Sequence, residues 1–245
     1  LLQTIEKATA FDLHNRLVEG HFGPADNSFE FTISAEMVKS LSAFLKTTQR
    51  ITLEEASKKT YKGPLFDTNF RDPNKFKKID ENIITFDLTP DPIISELHKV
   101  VRDQIRDAVK SPFSIVNTRA WTTKPNAAEF GSNSAHKDGF HPGHMKIMVY
   151  LTPLSKDFGE FWIGGTTITG KESGFCFCFK NSDIIHSGIP GKMFSRICFE
   201  ITILRTFLDC EQFHPGHVNG RYYSNLKTPY MFNCPPTVTT GVEGH

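Results

Sequence analysis

The sequence predicts a mainly β protein with helices, a jelly roll whose outer sheet is covered by helices on one side. From Pro112 onward, short β-prone runs are separated by Gly, Pro, Asn, Asp and Lys. Strands this short and closely spaced indicate a sandwich or barrel rather than βαβ units. The 22 phenylalanines, against five tyrosines and two tryptophans, suit a large β-rich core. The first hundred or so residues favour helix, and helices followed by strands fit helices packed on one sheet.

Helical periodicity and a capping signal mark the start of the chain. Residues 4–18 carry apolar side chains close to helical spacing, which predicts a first helix. Ser28–Ile33 alternates apolar with polar residues, which predicts a short strand. Ser34 precedes an apolar stripe from Met37 to Leu45, so it is placed to cap a second helix.

An irregular connection and one more helix complete this portion. Residues 60–80 are rich in Lys, Asp, Pro and Asn and predict an irregular segment. Asp91-Pro92 supplies a cap and a first-turn proline for a helix that ends near Val109. His98 lies on this helix, and we interpret it as a surface or boundary histidine rather than a ligand.

The second half of the chain carries the predicted strands, at 113–123, 145–152, 159–163, 166–169, 174–179, 183–186 and 194–204. The sequence contains no GxGxxG or Walker-type loop, so nucleotide binding has no support. We expect a single domain over 1–245. Its parts are a mainly helical N-terminal portion (1–111), a jelly-roll core (112–204) and a loop-rich C-terminal extension (205–245).

Charge and cysteine usage narrow the class of protein. The net charge is +1, from 28 basic and 27 acidic residues, so no one-signed field favours nucleic acid or an anionic membrane. No segment approaches the roughly 18 apolar residues of a membrane span. Five cysteines without a CxxC pair, with Cys176 and Cys178 on one strand face, predict reduced core thiols in a cytoplasmic protein. A small-molecule partner is the expectation, and the oligomeric state is open.

A metal-binding pattern lies in the β-rich half. His136 and Asp138 are two residues apart, so an extended segment points both to the same side. His186 follows 50 residues later, at the end of another β-prone run. Two histidines and one carboxylate form the facial triad of non-haem Fe(II) oxygenases, which leaves positions open on the metal. The competing interpretation of His136 is a surface-loop histidine beside a solvated aspartate.

Arg196, ten residues after His186, is a further candidate for this site. Alternation along residues 194–204 puts the isoleucines and Phe199 on one face, and Arg196 with Glu200 on the other. If the apolar face packs on the helices, Arg196 points into the barrel. A buried guanidinium needs an anion, and a carboxylate is its natural partner. The alternative is an internal Arg196–Glu200 pair without a ligand.

His-x-Asp, a histidine about fifty residues later and an arginine ten residues after that resemble the 2-oxoglutarate/Fe(II)-dependent dioxygenases. Residues 186–196 resemble the phytanoyl-CoA dioxygenase branch, while 145–153, ending in Tyr-Leu-Thr-Pro, resembles prolyl-hydroxylase-like members, so the branch stays open. The resemblance covers residues 113–204.

The resemblance implies a double-stranded β-helix core and catalysis at Fe(II) held by His136, Asp138 and His186. It also implies that Arg196 binds the distal carboxylate of the co-substrate 2-oxoglutarate. The implied reaction uses O2 to hydroxylate a small molecule and releases succinate and CO2.

Several further residues are candidates for lining the site. Arg119 is a candidate co-substrate contact, and Asn117 and Trp121 on the same strand face are candidate substrate contacts, unless that face is an outward polar row. Tyr150 could hydrogen-bond a 2-oxoglutarate carboxylate or be a plain core aromatic. His141, in one of two His-Pro-Gly-His turns, is expected at the pocket mouth.

Two rival functions share the predicted fold. A cupin-like metalloenzyme would use a different metal chemistry without 2-oxoglutarate, but the acidic residue of its first metal motif is absent here. A non-catalytic jelly-roll binding module would have no need for an inward arginine in this register.

Overall fold

The computed structural model describes residues 28–52, 55, 73–88, 91–109, 113–138, 144–181 and 184–205. The helices of this part are α1 (Ala35–Thr47), α2 (Pro73–Asn82) and α3 (Pro92–Val109), with a 3-10 turn at Gly131–Asn133. The strands are β1 (Ser28–Thr32), β2 (Arg50–Ile51), β3 (Ile83–Phe86), β4 (Phe113–Thr123), β5 (His144–Tyr150), β6 (Gly159–Ile163), β7 (Thr166–Ile168), β8 (Phe175–Phe179), β9 (His186–Pro190) and β10 (Arg196–Arg205).

The strands form two antiparallel sheets. The large sheet has seven strands in the order β1-β8-β5-β10-β4-β3-β2, and the small sheet has three in the order β7-β6-β9. An antiparallel bridge between His136 and His186 adds the segment around residue 136 to the edge of the small sheet. This bridge brings two histidines that are distant in sequence to the same end of the small sheet.

The large sheet separates two hydrophobic clusters, as alternation along β10 shows. Phe199, Ile201 and Ile203 lie in a cluster with helix residues such as Leu41 and Leu97. Cys198 lies in the other cluster, with side chains of both sheets, among them Met148, Tyr150, Phe161, Ile163, Phe175, Phe177 and Phe179. Each fully buried leucine or isoleucine contributes about 1.5–3 kcal/mol. The predicted jelly roll with helices on one outer sheet is therefore confirmed.

The predicted starts of α1 and α3 are confirmed in detail. The Ser34 hydroxyl accepts a hydrogen bond from the Met37 N–H at 3.2 Å and caps α1. The Asp91 carboxylate accepts from the Ile93 N–H at 2.9 Å, with Pro92 as the first residue of α3. Both caps satisfy N–H groups that a helix start leaves without partners.

Some sequence predictions are wrong. Helix α2 lies in the segment predicted to be irregular. Strand β9 begins at His186, whereas the sequence predicts a strand that ends there; Gly188 and Pro190 weaken its β pattern, and pairing with β6 forms it. His98 is not a surface residue: it is 3% exposed, and its Nε2 lies 2.7 Å from the Thr118 hydroxyl. The predicted helix at 4–18 lies outside the described residues.

The described cysteines are buried and free, as predicted for Cys176 and Cys178. Burial raises the pKa of the Cys176 and Cys198 thiols to about 12, so they stay protonated at neutral pH. Cys210 and Cys234 lie outside the described residues. Among the helices of the described chain, none is long and apolar enough to cross a membrane.

Candidate metal centre

His136, Asp138 and His186 converge at one end of the small sheet. Each offers one ligand atom, and these atoms all lie within 4.8 Å of one another. The backbones of His136 and His186 exchange two hydrogen bonds, of 3.0 and 2.9 Å. The Asp138 N–H donates to the Asn181 carbonyl at 3.0 Å. The three predicted ligands are therefore held by backbone pairing.

The two imidazole rings are oriented with Nε2 toward the centre. Nδ1 of His136 lies 2.7 Å from the Ser134 carbonyl, and Nδ1 of His186 lies 2.9 Å from the Ile184 carbonyl. A carbonyl can only accept, so each Nδ1 carries a proton, and in a neutral ring with this tautomer Nε2 holds the lone pair. The Nε2 of His186 is buried and has no hydrogen-bond partner among the described residues. A lone pair left in this way is available to a metal ion.

Burial also favours the ligating form of His136. Its pKa lies below the usual histidine value mainly because burial disfavours the charged ring, and the neighbouring His186 and Lys146 add to this shift. The hydrogen bond to the Ser134 carbonyl and the Asp138 carboxylate act in the opposite direction. The ring is therefore neutral at pH 7, as metal coordination requires.

The two oxygens of Asp138 have different surroundings. Oδ2 lies 2.5 Å from the Lys146 ammonium and accepts from the Asn181 amide at 3.0 Å. Oδ2 also lies 3.6 Å from Nε2 of His186, and Oδ1 lies 3.8 Å from Nε2 of His136. Burial alone would raise the pKa of Asp138, but the Lys146 ammonium, with His186 and Asn181, holds it far below its usual range. Asp138 is therefore a carboxylate at any physiological pH.

Lys146 belongs to an ionic network, which we call the lysine network, in which Lys146 and Glu200 are buried and Asp138 and Arg119 are partly exposed. The Lys146 ammonium lies 3.1 Å from Glu200 Oε2. Arg119 donates to both oxygens of Glu200, from Nε at 2.7 Å and from Nη2 at 2.9 Å. Lys146 and Glu200 are 4% and 2% exposed. Two positive and two negative groups compensate one another without a ligand.

Arg196 lies further along the same interior. It is 3% exposed, and its Nη1 donates to the carbonyls of Glu160 at 2.6 Å and Ile189 at 3.0 Å. A side chain at position 188 would collide with its guanidinium, so Gly188 lets the arginine lie against β9. Glu200, the partner considered in the sequence, pairs with Arg119 and Lys146 instead.

Other polar atoms near Arg196 are buried without partners. Within the described chain, no hydrogen-bond partner exists for the Tyr150 hydroxyl, the Trp121 indole N–H, the Thr123 hydroxyl or Nε of Arg196. Arg196 pairs with Thr123 across β10 and β4, and Cys198 pairs with Trp121 and Tyr150. We call Arg196, Thr123, Trp121 and Tyr150 the arginine end of the interior.

Of the remaining predicted site residues, Trp121 is buried between the sheets, and the side chains of the others lie outside the described part of the chain. Trp121 is 8% exposed and belongs to the inter-sheet cluster, with the Arg119 guanidinium 5.1 Å from its ring. The side chain of Asn117 and the whole of His141 lie outside the described residues. Sequence reasoning missed Lys146 and Asn181 as partners of Asp138. The signal in the sequence was a charged residue on the inward face of each of two strands, Lys146 on β5 and Glu200 on β10, because a buried charge needs a partner of opposite sign.

Comparisons with known proteins bear on the fold. No protein-family model and no curated protein sequence matches the chain. An oxidoreductase of the 2OG-Fe(II) oxygenase family from Burkholderia pseudomallei is 10% identical, with a TM-score of 0.51 over 85% of this chain and 94% of its own. The chain has the jelly-roll fold of the 2-oxoglutarate/Fe(II) oxygenases.

Two further solved structures are similar at lower TM-scores. The viral collagen prolyl hydroxylase of Paramecium Bursaria Chlorella virus-1, in complex with 2OG, is 14% identical, with a TM-score of 0.49 over 75% of this chain and 99% of its own. HygX from Streptomyces hygroscopicus, with nickel, 2-oxoglutarate and hygromycin B bound, is 13% identical, with a TM-score of 0.48 over 83% of this chain and 88% of its own.

On this 2-oxoglutarate oxygenase fold, the site can bind a divalent first-row metal. Two imidazole nitrogens and a carboxylate oxygen form a borderline nitrogen and oxygen donor set suited to such an ion. Three ligands on one side leave the other coordination positions free for exchangeable molecules. The residues present therefore fit the metal that the fold implies.

Proposed function

We propose that this protein is an Fe(II)- and 2-oxoglutarate-dependent dioxygenase that hydroxylates a small molecule and releases succinate and CO2. The observation that carries the proposal is the pair of histidine Nε2 atoms and the Asp138 carboxylate facing one point. The hydrogen bond from each Nδ1 to a backbone carbonyl fixes the orientation of the imidazole ring, as a metal ligand requires.

Arg196 supports 2-oxoglutarate as the co-substrate. A guanidinium this buried, with Nε unpartnered within the described chain, suits an anion that enters from outside. Gly188, over which it lies, is two residues from His186 on β9, a span of about 7 Å. A five-carbon dicarboxylate that chelates a metal at His186 can cover this span with its distal carboxylate.

The chain's own residues would divide the work. His136, Asp138 and His186 would hold Fe(II), and Arg196 would bind the distal carboxylate, to which the Tyr150 hydroxyl would donate. When bound, Fe(II) and 2-oxoglutarate supply the O2-dependent oxidation of a substrate C–H bond. We call the part of the interior that carries His136, Asp138, His186 and the lysine network the metal end. The Phe179 ring packs edge-on to His186 at 4.8 Å, so the metal end has an apolar wall that excludes water.

A spectroscopic titration tests this proposal without a known substrate. Fe(II) and then 2-oxoglutarate are added to the protein without oxygen, and the visible metal-to-ligand charge-transfer band is recorded. We expect a band in the natural protein, none in His136→Ala, and a band that needs much more 2-oxoglutarate in Arg196→Met. Arg106→Met is the matched control, because Arg106 is exposed on α3.

Each contrary outcome has a distinct meaning. Iron binding without a band would overturn 2-oxoglutarate as co-substrate and favour a cupin-like metalloenzyme. Failure to bind iron would overturn the enzymatic proposal in favour of a non-catalytic module.

A further inference from the structure

We propose that Lys146 is a positioning residue for the metal centre: it holds Oδ2 of Asp138, so that Oδ1 alone is presented to the metal. This inference rests on the proposed function, because it requires His136, Asp138 and His186 to bind a metal ion. It adds a role for a residue outside that ligand set.

The contacts of Asp138 are asymmetric in the way such a role requires. Each oxygen faces one histidine, Oδ2 at 3.6 Å from Nε2 of His186 and Oδ1 at 3.8 Å from Nε2 of His136. Only Oδ2 also contacts donors, the Lys146 ammonium at 2.5 Å and the Asn181 amide at 3.0 Å. A carboxylate whose second oxygen is engaged by two donors is constrained to offer the first. Charge-assisted contacts of this kind are the stronger class of hydrogen bond.

The position of Lys146 is constrained from the backbone outward. It lies on β5, between β8 and β10 in the large sheet, and pairs with Phe179 on one side and Thr202 on the other. An ammonium that is 4% exposed needs anionic partners. Glu200 is the second partner, at 3.1 Å, so Lys146 keeps a counter-charge when Asp138 shares its own with a metal.

Arg119 keeps Glu200 in place. Its two hydrogen bonds to the Glu200 carboxylate, at 2.7 and 2.9 Å, leave Oε2 facing both cations. Glu200 and Arg119 therefore compensate the buried ammonium, and of these three residues only Lys146 contacts Asp138. Changes at Lys146 should therefore alter the position of Asp138, whereas changes at Glu200 should alter mainly the stability of the fold.

The chemical consequence concerns the number of positions on the metal. With one oxygen from Asp138, a six-coordinate ion keeps three positions for exchangeable ligands. With both oxygens bound, it keeps two, and a chelating co-substrate would then occupy both. Lys146 thus keeps one position free beside a chelating co-substrate.

Counting metal-bound water tests this directly, with Mn(II) as the probe and without turnover. The natural protein and Lys146→Met are titrated with Mn(II), and water-proton relaxation per bound ion is measured, with EPR line broadening in 17O-enriched water as a second count. We expect the relaxation per ion to fall by about one third in Lys146→Met, from three waters to two. Lys137→Met, which removes an exposed lysine beside Asp138, should keep the natural value.

Glu200→Gln separates positioning from disruption of the lysine network. It weakens the buried charge balance but leaves the Lys146–Asp138 contact, so its water count should equal that of the natural protein. An unchanged count in Lys146→Met, or an equal fall in Glu200→Gln, would overturn the inference. Absence of Mn(II) binding in the natural protein would instead overturn the proposed metal site. Circular dichroism confirms that each variant is folded.

Discussion

The metal end and the arginine end of the interior differ in whether their charged groups have partners of opposite charge. At the metal end, Lys146, Glu200, Arg119 and Asp138 satisfy one another with ion pairs of 2.5–3.1 Å. At the arginine end, the Arg196 guanidinium contacts only backbone carbonyls in the described chain, and the Tyr150 hydroxyl, Trp121 N–H and Thr123 hydroxyl have no partner there. Buried polar groups are normally hydrogen-bonded, so an unsatisfied cluster needs an explanation.

We infer from this contrast that a ligand from outside the chain binds at the arginine end. A compensated network contributes to folding by itself, and removing one member leaves a charge uncompensated. An uncompensated cluster carries its desolvation penalty until a partner arrives, and the partner's chemistry must complement the cluster. A carboxylate complements a guanidinium, a hydroxyl and an indole N–H together.

The largest effect is expected from removing a metal ligand. Asp138→Ala takes away the anionic ligand and leaves the Lys146 ammonium beside the metal, so Fe(II) binding and turnover should fall below detection. Anaerobic equilibrium dialysis measures the bound iron. Natural-level binding in this variant would show that the metal end is only a structural ion network.

A large effect specific to one ligand is expected from Arg196→Met. Truncating one partner of a buried charge pair costs about 2–5 kcal/mol, or about 30- to several thousand-fold in affinity. The Kd for 2-oxoglutarate should rise by that factor, whereas the Kd for Fe(II) should stay unchanged. Without ligand, the variant should be at least as stable as the natural protein, as measured by urea unfolding. A clear loss of ligand-free stability would contradict the view that the charge of Arg196 is uncompensated without a ligand.

The opposite stability effect is expected from Lys146→Met. In the metal-free protein it leaves Asp138 and Glu200 with one cation, so the free energy of unfolding should fall by about 2 kcal/mol. Urea unfolding in the presence of a chelator measures it. Equal or greater stability would show that the lysine network does not compensate its own charges.

A smaller effect sharpens the assignment of the arginine end. Tyr150→Phe removes a hydroxyl that has no partner in the described chain, so ligand-free stability should change by less than about 0.5 kcal/mol. Loss of one hydrogen bond to a charged ligand should weaken 2-oxoglutarate by about 1.5–3 kcal/mol, or about 10- to 150-fold. Unchanged co-substrate affinity would assign Tyr150 to the core alone.

The smallest effect on either end is expected from His98→Gln, on the helix side of the large sheet. Burial, with a contribution from Arg102, lowers the pKa of His98 to about 3. The unfolded chain therefore binds a proton below about pH 6.5 that the folded chain refuses, which lowers stability by about 1.4 kcal/mol per pH unit. The variant should lose that part of the pH dependence between pH 6.5 and 4, with metal and co-substrate binding unchanged.

Local patterns predicted what depends on alternation and spacing. The inward position of Arg196 followed from the apolar alternation of Phe199 and Ile201, and the HxD pair followed from the two-residue period of a strand. Caps at Ser34 and Asp91 are local signals of the same kind. These features are set within a few residues of the chain.

Features that depend on partners across the fold escaped prediction. Strand β9 exists because β6 pairs with it, although Gly188 weakens its pattern. The Arg196 guanidinium leaves no room for a side chain at position 188, and the residues next to Gly188 in the sequence give no sign of this contact. The Lys146–Asp138 contact joins β5 to a segment bridged to β9, so only the folded chain brings it about.

The most direct test of the arginine end compares two ligands in two proteins. The Mn(II)-loaded natural protein and Arg196→Met are titrated calorimetrically with 2-oxoglutarate and with 2-oxopentanoate, which has a methyl group in place of the distal carboxylate. If Arg196 recognises that carboxylate, the natural protein should strongly prefer 2-oxoglutarate, and Arg196→Met should lose the preference. A preference of equal size in both proteins would contradict this role of Arg196.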